Sequence, residues 1–422
     1  MDKLTDLQGR LNAPARRDRL EALRGLVRME TMGEIPPVTP GEDVNNHIHT
    51  WYSFSPYSPT AAVWYAHRAG LSTAGIMDHD SVAGIAEFHE AGRIVGLSTT
   101  GGMECRADFS RTAVAGHRIN NPDQDNVGYI AFHGLPLKSL PLVESFIAPL
   151  RRERNERNRL MCRKITEKYA KFGITLDFDT DVLPVSKAAE GGSVTERHIL
   201  WALSLKLEEK CGRGQPLIDF LEKELGLKVS EKCRGWLSDG ENDKYTYDLL
   251  GVLKSDTSFF YVPADKELAD VKKAVAVCRE AGAISAYAYL GDVGDSVTGD
   301  KRAQRFEDGY LEQLFGVLRQ VGFNAVTYMP SRNTPAQLDR LRALCRREHF
   351  FEISGEDINS PRQSFICLAA RAPEFANLRE STWALIGHEM RTLSDPAAGL
   401  FGAAACKQYP DLSTRVAAFA AR

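Results

Sequence analysis

Two blocks of the chain, residues 44–134 and 263–370, alternate short runs rich in β-branched and aromatic residues with helix-length amphipathic runs, and the stretch between them does not. Strand, helix and second strand in succession close most readily into a parallel sheet or barrel with the helices outside, so this alternation sets the expected class as α/β. In the first block a strand over 44–50 leads to Ser58-Pro59-Thr60, a helix start with proline in its first turn, then a helix over 61–69 stopped by Gly70. A strand over 73–77, a helix over 82–93 capped by Ser81, and a strand over 127–132 follow. The second block predicts helices over 266–281, 306–322 and 337–348 and strands over 283–289, 324–329 and 365–369. Between them, from Arg151 to Arg159, a charge run opens an amphipathic helix and reads as a solvated face. The expected division is an N-terminal helical arm over 1–40, barrel segments over 41–140 and 263–372, a helical insertion over 141–262 and a C-terminal helical segment over 373–422.

Composition narrows the function classes. A formal net charge of −3 on 422 residues gives no overall pull toward nucleic acid or anionic lipid, so neither a nucleic-acid polymer nor a membrane is an expected partner. No apolar run approaches the roughly 20 residues that cross a bilayer. The first residues are charged, and the eight cysteines are scattered singly, so a reducing, cytoplasmic compartment is expected.

Within the first predicted strand, His47 and His49 stand two residues apart. Side chains on a strand alternate with a period of two, so both imidazoles face the same way and can share one ion. Such a pair by itself is more often two ordinary polar residues; the case rests on what recurs downstream. His79, Glu104, His133 and Asp357 each lie at or beside a predicted strand end, where α/β folds keep their chemistry. Imidazole and carboxylate are ligands for Zn, Mn or Fe. A carboxylate such as Glu104 can bridge two ions, and ions about 3.5–4 Å apart can activate water and clamp a phosphoryl group together.

The runs His47-Ile48-His49-Thr50, Ile76-Met77-Asp78-His79-Asp80-Ser81-Val82-Ala83-Gly84, Gly102-Met103-Glu104 and Gly355-Glu356-Asp357-Ile358-Asn359 resemble motifs of the polymerase-and-histidinol-phosphatase (PHP) superfamily of metal-dependent phosphoesterases. The second run is the most specific. The resemblance implies a distorted (β/α)7 TIM-like barrel with up to three metal ions, hydrolysing phosphate esters with metal-activated water. The insertion is similar to that of small stand-alone members acting on nucleotides and related monoesters; Val194-Thr195-Glu196-Arg197-His198-Ile199 looks like their G-R-P-H-I run, which implies that Arg197 and His198 face the substrate phosphate. Three positions depart from the family: Phe54 replaces an aspartate, Tyr287 stands for a histidine in the strand over 283–289, and Asn359 replaces a second histidine. One firmly bound divalent ion with room for a second follows, Tyr287 and Asn359 being the poorer ligands. An alternative alignment puts Tyr129 at the position of His133.

The expected activity is hydrolysis of a small phosphorylated substrate, a phosphomonoester or nucleotide. Arg197, Arg302, Arg332 and Arg362, all at loop positions, would stabilise phosphoryl charge, and Asp80 or His198 would protonate the leaving oxygen. Two other classes stay open: an amide or lactone hydrolase using the same activated water, and a non-catalytic metal- or ligand-binding protein.

Overall fold

The computed structural model describes residues 2–293 and 304–421. Its strands in chain order are β1 (Val44–Ile48), β2 (Thr73–Ile76), β3 (Asp78–His79), β4 (Ser98–Thr100), β5 (Gly102–Asp108), β6 (Val127–His133), β7 (Ala269–Asp270), β8 (Ile284–Ala288), β9 (Ala325–Tyr328) and β10 (Phe351–Ser354). β1, β2 and β4 form one parallel sheet, and β10-β9-β8-β6-β5-β3 form a second, with β7 paired to β5. Met77 alone separates β2 from β3, and Gly101 alone separates β4 from β5, so the two sheets continue into one another along the chain.

The outer edge of β1 is tied to the segment after β10. The His49 N–H donates to the Ile358 carbonyl at 2.9 Å, and the Ile358 N–H to the His47 carbonyl at 3.1 Å. Side chains reinforce that seam: Asn45 Nδ2 donates to the carbonyls of Glu356 and Phe365, and Asn46 Nδ2 to Ser354 O at 2.9 Å. Only glycine fits at 355, since a Cβ there would stand 2.6 Å from the His47 nitrogen.

One strand breaks the expected parallel order. β6 runs antiparallel to both β5 and β8. Parallel neighbours need a crossover helix, and residues 109–126 between β5 and β6 form turns instead, so the chain doubles back as an antiparallel pair. The strand expected over 365–369 does not form; that stretch is irregular and leads into a short turn of 3-10 helix at Leu368–Arg371. Helix bounds also shift, the expected helix over 266–281 being confined to Val271–Glu280 after β7.

The N-terminal arm is two helices, α1 (Lys3–Arg10) and α2 (Arg16–Thr31), held by a buried ion pair between Arg19 and Glu87. α3 (Pro59–Arg68) and α4 (Ile85–Val95) fill the first block. From α5 (Leu140–Tyr169) through α6 (Glu196–Cys211) to Leu253 the chain is helical, with an apolar core of its own that includes Ile165, Leu203, Leu217 and Leu249. The charge run on α5 is not a solvated face. Arg154 and Arg157 are buried, and they meet Glu267 at 3.2 and 2.5 Å. Met77 and, from the larger sheet, Ala131, Ala286, Ala325 and Ile353 pack with Leu385 and Phe419 from the C-terminal helices. Among the described residues no helix is long and apolar enough to cross a membrane.

Candidate metal centre

The period of two on β1 puts both imidazoles on the side where Glu104 of β5 and His79 of β3 arrive, and the tie to Ile358 brings Asp357 alongside. Two overlapping groups result, His47 with His49 and Asp357, and His49 with His79 and Glu104; within each, the ligand atoms lie within 4.8 Å of one another. Glu104 Oε1 stands 3.0 Å from His79 Nδ1 and 3.5 Å from Nε2 of both His47 and His49. His49 Nε2 is also 3.2 Å from Asp357 Oδ1.

Burial opposes charge at Glu104, Asp357, His47 and His49, and their neighbours reverse its effect at the first three. Despite burial, His79 and His47 hold the Glu104 carboxyl well below the usual carboxylate range, and His49, His47 and Arg197 do the same for Asp357. His47 is raised, because Glu104, Asp357 and Glu356 together outweigh its desolvation. His49 is lowered by burial, with the neighbouring imidazoles adding to the effect.

The tautomer of His49 follows from its other nitrogen. Ser53 Oγ spends its one hydrogen on Asp78 Oδ1 at 2.6 Å, so toward His49 Nδ1, 3.0 Å away, it can only accept. Nδ1 therefore carries the proton, and the bare Nε2 lone pair faces carboxylate oxygens of Glu104 and Asp357. That juxtaposition is repulsive unless a cation lies between, and imidazole nitrogen plus carboxylate oxygen is a donor set suited to Zn, Mn or Fe. The residues present fit a divalent ion.

The remaining candidate residues divide sharply. His133 lies on the Glu104 face of the sheet but pairs with Gly102, at the amino end of β5, because β6 runs backwards; it belongs to neither group of ligands. Burial, with His47 nearby, brings its pKa down to about 3. Tyr129, two register steps further up the same face, is the β6 residue beside the centre, its ring 5.6 Å from that of His79. Tyr287 faces the opposite way. It pairs with Ile130, while Ala286 pairs with Ala131 and so shares the Glu104 side; the Tyr287 hydroxyl donates to Glu307 at 3.1 Å. Asn359 is a hydrogen-bond donor to Asp357 Oδ1 and steadies that carboxylate.

Asp80, at φ 44°, points its carboxylate to Arg154 at 2.5 Å and donates its N–H to the Glu104 carbonyl. It is engaged in the network that docks α5, not turned to the ligands. His198 is buried at the start of α6, where Nδ1 accepts the Thr195 N–H at 3.0 Å; burial and then Arg197 bring its pKa down to about 3, so its ring is neutral. Phe54, at φ 88°, stacks edge-on against His198 and packs on Trp201 and Tyr247, anchoring the loop after β1 to the insertion. Of the four arginines, Arg197 lends its charge to Asp357 and makes no ion pair among the described residues. Arg362 is committed to Asp248 at 2.6 and 2.7 Å and stacks on Trp236. Arg332 donates from Nε to the Leu290 carbonyl at 3.3 Å. Arg302, with Lys301, lies outside the described residues.

Sequence reasoning gave Thr50 and Ser53 no role and read Asp78 only as part of the metal-binding run Asp78-His79-Asp80. Thr50, Ser53 and Asp78 are all buried, and Asp78 accepts from the Thr50 N–H at 2.7 Å, from Thr50 Oγ1 at 2.6 Å and from Ser53. A signal was available, since Asp78 directly precedes His79 and Ser53 follows His49 by one turn's length of chain.

No family model and no curated protein matches the chain. Solved structures do. A provisionally assigned metal-dependent phosphoesterase from Bifidobacterium adolescentis is 19% identical, with a TM-score of 0.51 over 80% of this chain and 96% of that one. An amidohydrolase from Chromobacterium violaceum, with sulfate bound and no metal, is 16% identical, with a TM-score of 0.50 over 76% of this chain and 89% of that one. At these identities the likeness to both is one of fold.

Proposed function

We propose that the chain is a metal-dependent hydrolase of the PHP type that cleaves a phosphate ester of a small molecule, on a distorted (β/α)7 barrel closed where β1 meets the segment after β10. The observation that carries this reading is the convergence of His47, His49, His79, Glu104 and Asp357 around one point from four separate stretches of chain. The chemistry supplied by a divalent ion held there is acidification of water toward neutral pH and neutralisation of phosphoryl charge. The protein's own part is to hold the ligands, to orient the ester and to receive its charge. Arg197, whose guanidinium has no carboxylate partner among the described residues, would grip phosphoryl oxygens in the bidentate manner of its fork. His198 is neutral with Nδ1 occupied, so it would donate a hydrogen bond from Nε2 rather than act as an acid. The Tyr129 ring lies 5.6 Å from that of His79, and its hydroxyl would serve as a further donor. One ion held firmly, with Glu104 able to bridge to a second, is the occupancy this ligand set supports best.

A second reading, hydrolysis of an amide or lactone, draws on the fold shared with the amidohydrolase. The unpaired arginine beside Asp357 favours phosphate over a neutral carbonyl. The deciding experiment gives purified protein Mn or Zn, counts bound metal by elemental analysis, and assays phosphomonoesters, nucleotides, amides and lactones side by side. Phosphate release that disappears in His47→Ala and drops about 100-fold in Arg197→Ala is the expected result. Turnover of amides or lactones alone, or phosphate release indifferent to His47→Ala, would refute it.

A further inference from the structure

Asp78 and Ser53 do more than fill the space behind the ligands. We infer that they form a relay that locks His49 in the tautomer able to bind metal, making them positioning residues for the centre. The inference rests on the reading of His47, His49 and Asp357 as ligands, but the tautomer itself can be observed without any ion.

The geometry leaves little freedom. Ser53 and Asp78 are each 1% exposed, so water does not compete for these bonds. Asp78 Oδ1 takes two hydrogens, from the Thr50 N–H and from Ser53 Oγ, and Oδ2 takes the hydroxyl of Thr50. Thr50 directly follows His49, so the same carboxylate fixes the backbone that carries the imidazole and, through Ser53, the hydrogen on its ring. A carboxylate can only accept, which forces Ser53 to donate to it; Ser53 must then accept from Nδ1, and the lone pair is left on Nε2. Carboxylate-backed histidines of this sort bind metal more tightly, and losing the outer partner typically costs about 10- to 100-fold in affinity.

The chain of donors makes the two substitutions unequal. In Asp78→Ala the acceptor of the serine hydrogen is gone, which frees that hydrogen for His49 Nδ1. The ring then takes its proton on Nε2, the nitrogen that should face the ion. Asp78→Asn would instead keep an amide oxygen where the Thr50 N–H donates and leave Ser53 donating to it. Ser53→Ala removes a partner without reversing the direction, so it should weaken binding less, and Ser53→Thr, which keeps the hydroxyl, should restore it.

The test reads two quantities. Nitrogen NMR of ¹⁵N-histidine protein without metal, with His49 assigned by comparison with His49→Gln, reports which ring nitrogen is protonated at pH 8. Titration calorimetry with Zn reports affinity. Expected are an Nδ1–H ring in wild type and Ser53→Thr, an Nε2–H ring in Asp78→Ala, and Zn affinity lower by about 10- to 100-fold in Asp78→Ala. An Nε2–H ring in wild type, or an Asp78→Ala variant with tautomer and affinity both unchanged, would overturn the relay. If Asp78→Ala does not fold, Zn affinity decides between the serine variants: a loss in Ser53→Ala that Ser53→Thr restores supports the relay, and equal affinity in the two overturns it. Wild-type protein with an Nδ1–H ring that fails to bind Zn would sink the metal reading while leaving the relay standing.

Discussion

At the scale of single residues, the site is governed by parity along strands. His47 and His49 could be paired from sequence alone because two residues of separation return to the same face, whatever the exact ends of the strand. Tyr287 could not be placed that way: its side chain sits one residue out of phase with Ala286, and a register uncertain by one residue turns every side chain to the other face. Its hydroxyl instead serves Glu307, a fully buried carboxyl whose pKa burial raises to about 7. Tyr287→Phe should therefore leave the number of bound metal ions per chain unchanged by elemental analysis, while lowering stability in urea by about 1 kcal/mol for the lost hydrogen bond. Loss of metal in that variant would return the tyrosine to the centre. His133 was equally out of reach of sequence reasoning, since only the pairing with Gly102 reveals that β6 runs against its neighbours.

At the scale of elements, α5 departs furthest from what its residues announce. Arginines and glutamates in succession read as a solvated face, because the groups that neutralise them lie far off in the chain. Glu267, 110 residues beyond Arg157, accepts from it at 2.5 Å and from Arg154 at 3.2 Å, while Arg106 of β5 approaches both Glu267 and Glu196. Glu267 and the three arginines are almost wholly buried, and the guanidinium groups hold the Glu267 carboxyl below its ordinary range against the opposing effect of burial. The network fastens the helical stretch to β5, the strand that carries Glu104. Removing the shared acceptor strands buried positive charge, so Glu267→Gln should cost about 3 kcal/mol in urea denaturation. A loss under about 1 kcal/mol would mean that water or Glu196 takes over the arginines, as at an exposed pair. The alternation of strands and helices, by contrast, was readable, because periodicity is local; antiparallel β6 and the missing strand at 365–369 were not, because pairing partners are not.

For the molecule as a whole, acid is the predicted weakness. Burial lowers the pKa of His198 to about 3 and of His388 to about 4, whereas both take up a proton near pH 6.5 when the chain unfolds. Below that pH the unfolded chain binds the extra protons, so stability is full above about pH 6.5 and declines by about 1.4 kcal/mol per pH unit for each such histidine on the way to pH 4. His388→Asn, which keeps an acceptor for the Leu400 N–H, should flatten the fall in unfolding free energy between pH 7 and pH 5 by one histidine's share. Identical slopes in the two proteins would show that His388 is solvated when charged. The seam between β1 and the residues after β10 has a consequence for biosynthesis. Asp357 meets His49 only there, so a polypeptide still emerging from the ribosome holds the imidazoles and Glu104 but not their last acidic companion. The group of His47, His49 and Asp357 is thus complete only once synthesis has passed residue 357, and products terminated earlier should bind a divalent ion more weakly, through His49, His79 and Glu104 alone.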